Sequence, residues 1–242
     1  MKNTPRSKDS TGRRLFLQRS LSLIPLVAAT GTPFATSQAA EKKTPAVTQD
    51  YVPQFFDPQQ WAFINAAVDR LIPEDQNGAG AVSEGVPVYI DRQMELPYGY
   101  GHLWYMQPPF ASHSDPTLGY QSPLVPRELY RQGIALTEHY CQQTFHKSFA
   151  QLTTDQQDQV LQLLEKNTLT DNNLSGSLFF EQLLDNTKEG YLADPVHGGN
   201  QTLASWKLIG YPGARADYTD TVAQPNVPYP LGPVSISGKR SV

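Results

Sequence analysis

Residues 57–71 have the sequence DPQQWAFINAAVDRL, and this stretch carries the signals of an amphipathic helix. Asp57 is a good N-cap, Pro58 suits the first helical position, and Gln60 completes a capping box. Apolar side chains then recur at spacings of three and four residues, on the positions Trp61, Ile64, Val68 and Leu71. This spacing predicts a helix that buries one face, and Pro73 ends it.

Further helices are predicted along the rest of the chain. Their ranges are 87–96, 126–149, 153–166, 175–190 (from Ser175 or Ser177) and 202–208. The inner face of the long helix is expected to carry Leu129, Leu136, Tyr140 and Phe149. No stretch shows the sustained alternation of a strand. The predicted fold class is mainly α, a small helical domain with one long irregular segment rich in aromatic residues and another rich in Gly and Pro.

The composition excludes several classes of protein. The chain has 242 residues and one cysteine, which excludes an intramolecular disulfide and any Cys-rich zinc or iron–sulfur site. A mean hydropathy of -0.45, with no second long apolar run, excludes a polytopic membrane protein. An isoelectric point near 5.7 argues against nucleic acid as a partner.

The N-terminus resembles a twin-arginine export signal, which directs folded proteins across a membrane. Arg13 and Arg14 are followed by Leu, Phe16 and Leu17, and then by a modest apolar stretch over residues 21–29. That stretch is shorter than the roughly 20 residues that a spanning helix needs. Small residues at 37–40 offer a cleavage point, so residues 1–40 are predicted to be a twin-arginine signal peptide.

The rest of the chain divides into three predicted parts. Residues 41–54 form an extended, polar arm, residues 55–215 a helical domain, and residues 216–242 an irregular C-terminal tail. Residues 1–40 hold six of the 19 basic and one of the 23 acidic residues. The remaining chain thus has 13 basic and 22 acidic residues and a net charge of -9, which favours basic or neutral partners.

No catalytic, cofactor-binding or metal-ligating residue is predicted in this chain. The Gly78–Gly80 stretch lacks the third glycine of a dinucleotide fingerprint and follows a helix rather than a strand. One cysteine cannot provide the Cys-x-x-Cys-His motif of covalent haem. His139 and His146 lie two helical turns apart, about 10.5 Å, which is too far for one shared zinc ion. Cys141, in mid-helix, is expected to be buried and inert.

Residues 97–110 concentrate aromatic side chains on a backbone with no helical periodicity. Their aromatic residues are Tyr98, Tyr100, Trp104, Tyr105 and Phe110. Aromatic residues are enriched at the centres of interfaces, and proline reduces the entropy lost on ordering. The alternative is a loop that folds back as a lid on its own core. Together with a signal for folded export, the composition favours a partner interface.

Two stretches near the C-terminus carry a resemblance to a known family. They are TKEGYLADPVHGGN at residues 187–200 and ASWKLIGYPG at residues 204–213. They resemble the gluconate 2-dehydrogenase subunit 3 family, and the resemblance extends upstream through residues 71–73 and 85–91 to cover about 55–215. The same residues have a structural interpretation, since Asp-Pro, Gly-Gly-Asn and Tyr-Pro-Gly all form turns. Trp206, between the turns, is expected to pack in the core.

The resemblance implies a small subunit without a cofactor or catalytic residues of its own. Its partners would be a large FAD-binding dehydrogenase, which converts D-gluconate to 2-dehydro-D-gluconate, and a multihaem cytochrome c that carries haem c. The signal peptide would take the folded flavoprotein through the twin-arginine translocase, and the complex would lie on the periplasmic face of the inner membrane. Related fructose, sorbitol, glucose and 2-ketogluconate dehydrogenases have similar small subunits, so the substrate stays open.

Two other functions are compatible with the residues. A self-contained periplasmic enzyme would use Asp194, His197 and Asn200, whose polar side chains flank a Gly-Gly pair. A periplasmic binding protein would have a pocket for a small molecule and no obligate protein partner.

Overall fold

The computed structural model describes residues 51–111, 114–171, 174–224, 226–227 and 229–240. The predicted signal peptide, with Arg13, Arg14, Phe16 and Leu17, and residues 41–50 of the predicted arm lie outside these ranges. The helices are α1 (Pro58–Leu71), α2 (Val86–Glu95), α3 (Pro126–Phe145), α4 (Thr154–Glu165), α5 (Gly176–Leu192), α6 (Ala204–Ile209) and α7 (Thr219–Val222). Short 3-10 turns cover Pro116–Leu118, Phe149–Gln151 and Pro195–His197.

The predicted fold class, mainly α, is confirmed. The strands of the described chain are β1 (Thr170–Asp171) and β2 (Leu174–Ser175), which pair antiparallel just before α5. Within the described ranges, no helix has the combination of length and apolar character that crossing a membrane requires.

Helix α1 begins as its sequence predicts. The Asp57 side chain accepts hydrogen bonds from the backbone N–H groups of Gln59 and Gln60, at 2.9 and 2.8 Å. The Gln60 side chain accepts one in return from the Asp57 N–H, which completes the capping box. The helix ends at Leu71, two residues before Pro73. Its fully buried residues are Phe63, Ile64, Ala67 and Val68, whereas Trp61 and Leu71 are only partly buried.

The core forms around α5, which packs against α1, α2, α3 and α4. The ring of Phe179, on α5, lies edge-on to Tyr130 of α3 with 5.9 Å between their centroids. Helix α3 comes close to α5 at Gly133, where an added Cβ would lie 2.2 Å from Cγ of Phe179. Because no side chain fits there, this crossing requires glycine.

The prediction for the long helix was wrong at its end and incomplete for its inner face, where Leu129 is buried and Leu136 and Tyr140 pack against the core. Helix α3 stops at Phe145 because His146 adopts a left-handed backbone with φ of 56°. Phe149 is buried, but in a separate 3-10 turn. Leu136 and Tyr140 are only partly buried. The buried face carries Leu129, Tyr130, Gly133, Ile134, Thr137, Glu138 and Cys141. Small and polar residues on this face permit close packing against α5, and a search for large apolar side chains overlooks them.

The other predicted helices are observed with small shifts at their ends. Thr153 caps α4 in a second capping box. The Ser175 hydroxyl accepts a hydrogen bond from the N–H of Leu178, which identifies Ser175 as the N-cap of α5. Helix α5 ends two residues beyond the predicted Gly190. Trp206 is buried, as expected.

Asp91, on α2, binds the segment that precedes α1. Its carboxylate is fully buried and accepts hydrogen bonds from the Tyr51 hydroxyl and from the N–H groups of Gln54, Phe55 and Phe56, at 2.7–3.1 Å. These bonds satisfy three backbone N–H groups that lie before α1 and have no partner in a helix. They also hold both phenylalanine rings in the core.

The end of the C-terminal tail returns to the domain. The N–H of Ala214 donates to the carbonyl of Val234 at 2.8 Å, and Val234 and Ser235 are buried. The N–H of Ile236 donates to the Asp194 carboxylate at 2.7 Å. The chain on either side of residues 215–233 therefore meets at the body of the protein.

Glu138 gives stability an identifiable dependence on pH. Its Oε2 accepts a hydrogen bond from the N–H of Phe149 at 3.1 Å, and its buried Oε1 has no partner among the described residues. Burial raises the pKa of Glu138, against the lowering effect of this hydrogen bond. The stability that this carboxyl contributes is complete below the ordinary glutamate pKa of about 4.3 and is lost as pH rises through the raised pKa.

We therefore expect Glu138→Gln to stabilise the fold relative to wild type by an amount that increases from pH 4 to pH 7. The amide keeps an acceptor for the Phe149 N–H and cannot ionise. Denaturant unfolding at several pH values measures this difference. The control is Glu181→Gln, which changes an exposed residue. A difference between Glu138→Gln and wild type that stays constant across this range would contradict the expectation.

Candidate functional site

The aromatic segment, residues 97–110, begins where α2 ends and is built from consecutive turns. The N–H of Gly99 donates to the carbonyls of Gln93 and Leu96, and the N–H of His102 donates to the carbonyl of Pro97. A Cβ on residue 99 would lie 2.3 Å from the carbonyl oxygen of Met94. Glycine is therefore needed for the chain to turn this tightly against α2.

Tyr98 anchors the segment to α5. Its hydroxyl oxygen accepts a hydrogen bond from Asn186 Nδ2 at 2.8 Å, and it also bonds Gln182 Nε2. Asn186 Oδ1 accepts a further bond from the buried Tyr130 hydroxyl at 3.0 Å. Burial raises the pKa of Tyr98, so its phenol stays protonated at neutral pH. Tyr98 therefore acts mainly as an internal anchor.

Arg127, at the start of α3, connects the segment to the rest of the core. Its guanidinium lies 4.2 Å from the ring centroid of Tyr100 and 4.7 Å from that of Phe55. It also donates to the carbonyl of Met94 at 2.7 Å and pairs with the Glu95 carboxylate at 3.2 Å. These contacts hold the ring of Tyr100 against the start of α3.

An open cleft of about 420 Å³, which we call the aromatic groove, lies along the segment. Trp104 forms its base, packing edge-on to Tyr98 with 5.6 Å between centroids and against Tyr120 at 4.7 Å. Tyr120 is held in place because its hydroxyl donates to the carbonyl of Leu124 at 2.6 Å. The lining residues are Trp104, Tyr105, Gln107, Pro109, Phe110, Leu118, Gly119, Tyr120 and Gln121.

The five predicted interface residues differ in how they are exposed. Tyr105 is the most exposed of them, at 83%, and Tyr100 follows at 45%. Tyr98, Trp104 and Phe110 are partly buried. The segment thus has an inner side that covers its own core and an outer side that faces solvent, where Leu103 and Leu118 add to the apolar surface. Contact of these five residues with a partner stays a prediction.

The polar residues of the alternative enzyme site are engaged in structural hydrogen bonds. The Asp194 carboxylate accepts from the N–H groups of Val196 and Ile236. Asn200 is fully buried, its Nδ2 donates to the carbonyl of Ala193 at 2.9 Å, and its Oδ1 accepts from the Ser205 hydroxyl at 2.8 Å. His197 is exposed and lines a separate small cleft with residues of α2. The three side chains do not converge on a common polar pocket.

Glu84 is a buried residue that sequence reasoning missed. Its carboxylate accepts hydrogen bonds from the N–H of Thr202, at 2.9 Å, and from the Thr202 hydroxyl. Its own carbonyl accepts from the N–H of Gln201 at 3.1 Å. These bonds join the loop before α2 to the loop before α6. The sequence gave no indication of this burial, because a glutamate in a Gly-rich loop is expected to be exposed to solvent.

Trp206 packs among the turns that follow α5. Its indole Nε1 donates to the carbonyl of Leu192 at 2.8 Å, and its ring lies edge-on to Tyr211 with 4.9 Å between centroids. Gly213 lies against the same ring, since an added Cβ would be 2.8 Å from it. The second stretch of the resemblance is therefore packed around a buried tryptophan.

Cys141 is buried in mid-helix, and its thiol is held in the protonated form. Burial, and to a smaller extent the nearby Glu138, raises the pKa of Cys141 to about 12, so its thiol stays protonated. In the part of the chain that the structure describes, no group of three or more His, Cys, Asp or Glu side chains is placed to hold a metal ion.

We expect Asn200→Ala to lower the free energy of unfolding by about 1–3 kcal/mol, because it leaves the part-buried Ala193 carbonyl and the buried Ser205 hydroxyl without the bonds that Asn200 makes to them. Chemical denaturation measures the change. His197→Ala, at an exposed position of the same turn, is the control and should leave stability unaltered. Unchanged stability in Asn200→Ala would contradict the structural role of this side chain.

Comparison with known proteins gives one match. A sequence model of a protein family, described as Gluconate 2-dehydrogenase subunit 3, matches residues 58–213. No curated protein and no solved structure matches the chain. The matched range runs from the first residue of α1 to the glycine that follows Trp206 and Tyr211, and it includes the aromatic segment.

Proposed function

This chain belongs to the gluconate 2-dehydrogenase subunit 3 family, and from that premise we propose that it is the non-catalytic small subunit of an FAD-dependent dehydrogenase. In this proposal it binds the folded flavoprotein, escorts it through twin-arginine export and stabilises the assembled complex. The FAD belongs to the large subunit. Haem c belongs to a multihaem cytochrome c subunit that accepts the electrons.

The outer side of the aromatic segment is the observation that carries this proposal. Tyr100, Leu103 and Tyr105 are exposed, while Tyr98 and Arg127 hold the backbone beneath them. Exposed aromatic residues on a rigid backbone suit an interface, because little conformational entropy is lost when they bind.

The predicted export signal gives the escort role its physical reason. A flavoprotein that acquires FAD inside the cell is already folded when it leaves, and the twin-arginine route accepts folded cargo. With Arg13 and Arg14 on this chain, the flavoprotein needs no signal of its own. The complex then acts on the periplasmic face of the inner membrane.

The substrate of the complex is set by the large subunit. The family name favours D-gluconate, oxidised to 2-dehydro-D-gluconate. A fructose, sorbitol, glucose or 2-ketogluconate dehydrogenase fits the same small subunit. The self-contained enzyme is less well supported, because the polar atoms of Asp194 and Asn200 already have structural partners.

Recovery of the flavoprotein tests the subunit role. We expect a tagged chain, purified from its native cells, to bring with it a protein that has flavin absorbance and oxidises a sugar acid or polyol. The Trp104→Ala/Tyr105→Ala double variant should reduce this recovery by about tenfold or more, as expected when aromatic anchors are lost from an interface. Tyr105→Ala alone removes an exposed ring that has no role in folding, and it should also reduce recovery.

The control for the recovery experiment is Tyr211→Ala, which truncates a half-exposed aromatic residue outside the segment. Circular dichroism and thermal unfolding of each variant separate loss of binding from loss of fold. A colourless chain that is recovered alone would overturn the subunit role. Full recovery by a folded double variant would overturn the placement of the interface.

Export tests the escort role. We expect Arg13→Lys/Arg14→Lys to retain both this chain and the flavoprotein in the cytoplasm, because twin-arginine transport depends on the arginine pair. Fractionation with immunoblotting and an assay of periplasmic dehydrogenase activity measures the outcome. Arg6→Lys, outside the pair, is the matched control. Normal periplasmic flavoprotein in the double variant would mean that the flavoprotein is exported by another route.

A further inference from the structure

The loop between α1 and α2 contains an asparagine followed by a glycine, Asn77 and Gly78, and the sequence has no other such pair. The side chain of Asn77 is exposed. A backbone nitrogen can attack the side-chain amide carbon of the asparagine that precedes it, and glycine hinders this attack least because it has no side chain. The pair therefore brings the two groups of a deamidation reaction together at a position open to water.

The fold does not require glycine at position 78. An added Cβ there would meet no heavy atom within 4 Å, and the backbone is not in the left-handed region. Gly99 differs in this respect, since its Cβ would lie 2.3 Å from the carbonyl oxygen of Met94. Packing and backbone conformation would therefore accept alanine at position 78, so Gly78→Ala can slow the reaction without altering the fold.

Asp75 holds both reacting groups in a tight turn. Its Oδ2 accepts a hydrogen bond from Asn77 Nδ2, and its Oδ1 accepts one from the Asn77 N–H, each at 2.8 Å. The Gly78 N–H donates to the carbonyl of Asp75 at 3.2 Å. The bonds from Asn77, the backbone bond most of all, lower the pKa of Asp75, so its carboxylate is charged at neutral pH. Attack requires the Asn77 amide and the Gly78 nitrogen to leave these bonds, so the closed turn slows the reaction.

We propose that the pair Asn77 and Gly78 is a spontaneous deamidation site, which Asp75 protects in the folded chain. When the turn opens, the Gly78 nitrogen gives its proton to water and attacks Cγ of Asn77. A cyclic imide forms, and the amide nitrogen leaves as ammonia. Water then opens the imide and leaves an aspartate or an isoaspartate at position 77.

The product would prevent the turn from closing again. The new carboxylate takes the place of the amide that donates to Asp75 Oδ2, so repulsion between two like charges replaces a hydrogen bond. A bond just beyond the turn limits the change, because the Tyr191 hydroxyl donates to the carbonyl of Ala79 at 2.8 Å. The modification is therefore a local and irreversible record that this loop has opened.

The rate of deamidation at Asn77 tests the proposal. The purified chain is incubated near neutral pH, either folded or in urea, and mass spectrometry of its peptides measures the conversion of Asn77. We expect conversion in urea to be at least about tenfold faster, because the folded chain reacts only through its open form. Asp75→Ala should accelerate the reaction of the folded chain by about threefold to tenfold, as expected when one or two hydrogen bonds are lost.

Two variants serve as controls for the rate measurement. Glu74→Ala changes the neighbouring exposed carboxylate and should react at the wild-type rate. Gly78→Ala should slow the reaction in urea by about tenfold or more and leave thermal unfolding unaltered, because its Cβ hinders the attack and has space in the fold.

The product is tested with Asn77→Asp. We expect faster hydrogen exchange at the Gly78 amide than in wild type, with unchanged exchange in α1, because the turn no longer closes.

Each measurement has an outcome that contradicts the proposal. The assignment of the site is overturned if Asn77 is unmodified in urea. Equal rates in the folded chain and in urea, or a wild-type rate in folded Asp75→Ala, overturn the protection by Asp75. Unchanged exchange of the Gly78 amide in Asn77→Asp overturns the effect of the product on the turn. None of these outcomes depends on the flavoprotein, since the reaction needs only water.

Discussion

The buried carboxylate of Asp91 is the contact on which the position of the aromatic segment depends. It accepts four hydrogen bonds from the segment before α1 and so fixes Phe55 in the core. The ring of Phe55 lies against the guanidinium of Arg127, which also packs on Tyr100. A buried carboxylate is costly unless fully hydrogen-bonded. Here those bonds connect residues 51–56 to the exposed aromatic segment through Phe55 and Arg127.

The residues that carry the family resemblance have structural roles, since they hold turns and loops together. Asp194 receives the returning C-terminal tail, Asn200 closes the turn after α5, and Trp206 fills the space between them. A Cβ on Gly199 would lie 2.0 Å from the carbonyl oxygen of Gly190, so the Gly-Gly pair permits a close backbone approach. A polar, glycine-rich motif can thus specify a family through its packing, and the surface that we assign to function lies elsewhere on the chain.

Local signals predicted the fold well where one residue decides the outcome. The side chains of the caps Asp57 and Thr153 accept hydrogen bonds from backbone N–H groups two or three positions away, so the sequence alone predicts their effect. The inner face of α3 was predicted only in part, because Gly133 and Thr137 are buried through their packing against α5, which no local pattern contains. For the candidate site, composition identified the aromatic segment, but the division into anchors and exposed rings required the positions of Asn186 and Arg127.

The sequence by itself determined the class of the protein: a helical domain with capped helices, an aromatic segment without periodicity, and a stretch specific enough to indicate the family. These features depend on neighbours a few residues apart. Only the tertiary structure decided that Tyr98 faces inward while Tyr105 faces solvent, and that Glu84 is buried against Thr202. Such outcomes depend on partners about 90 to 120 residues away along the sequence. Burial and long-range hydrogen bonds exist only once the chain has folded, so a local sequence pattern does not contain them.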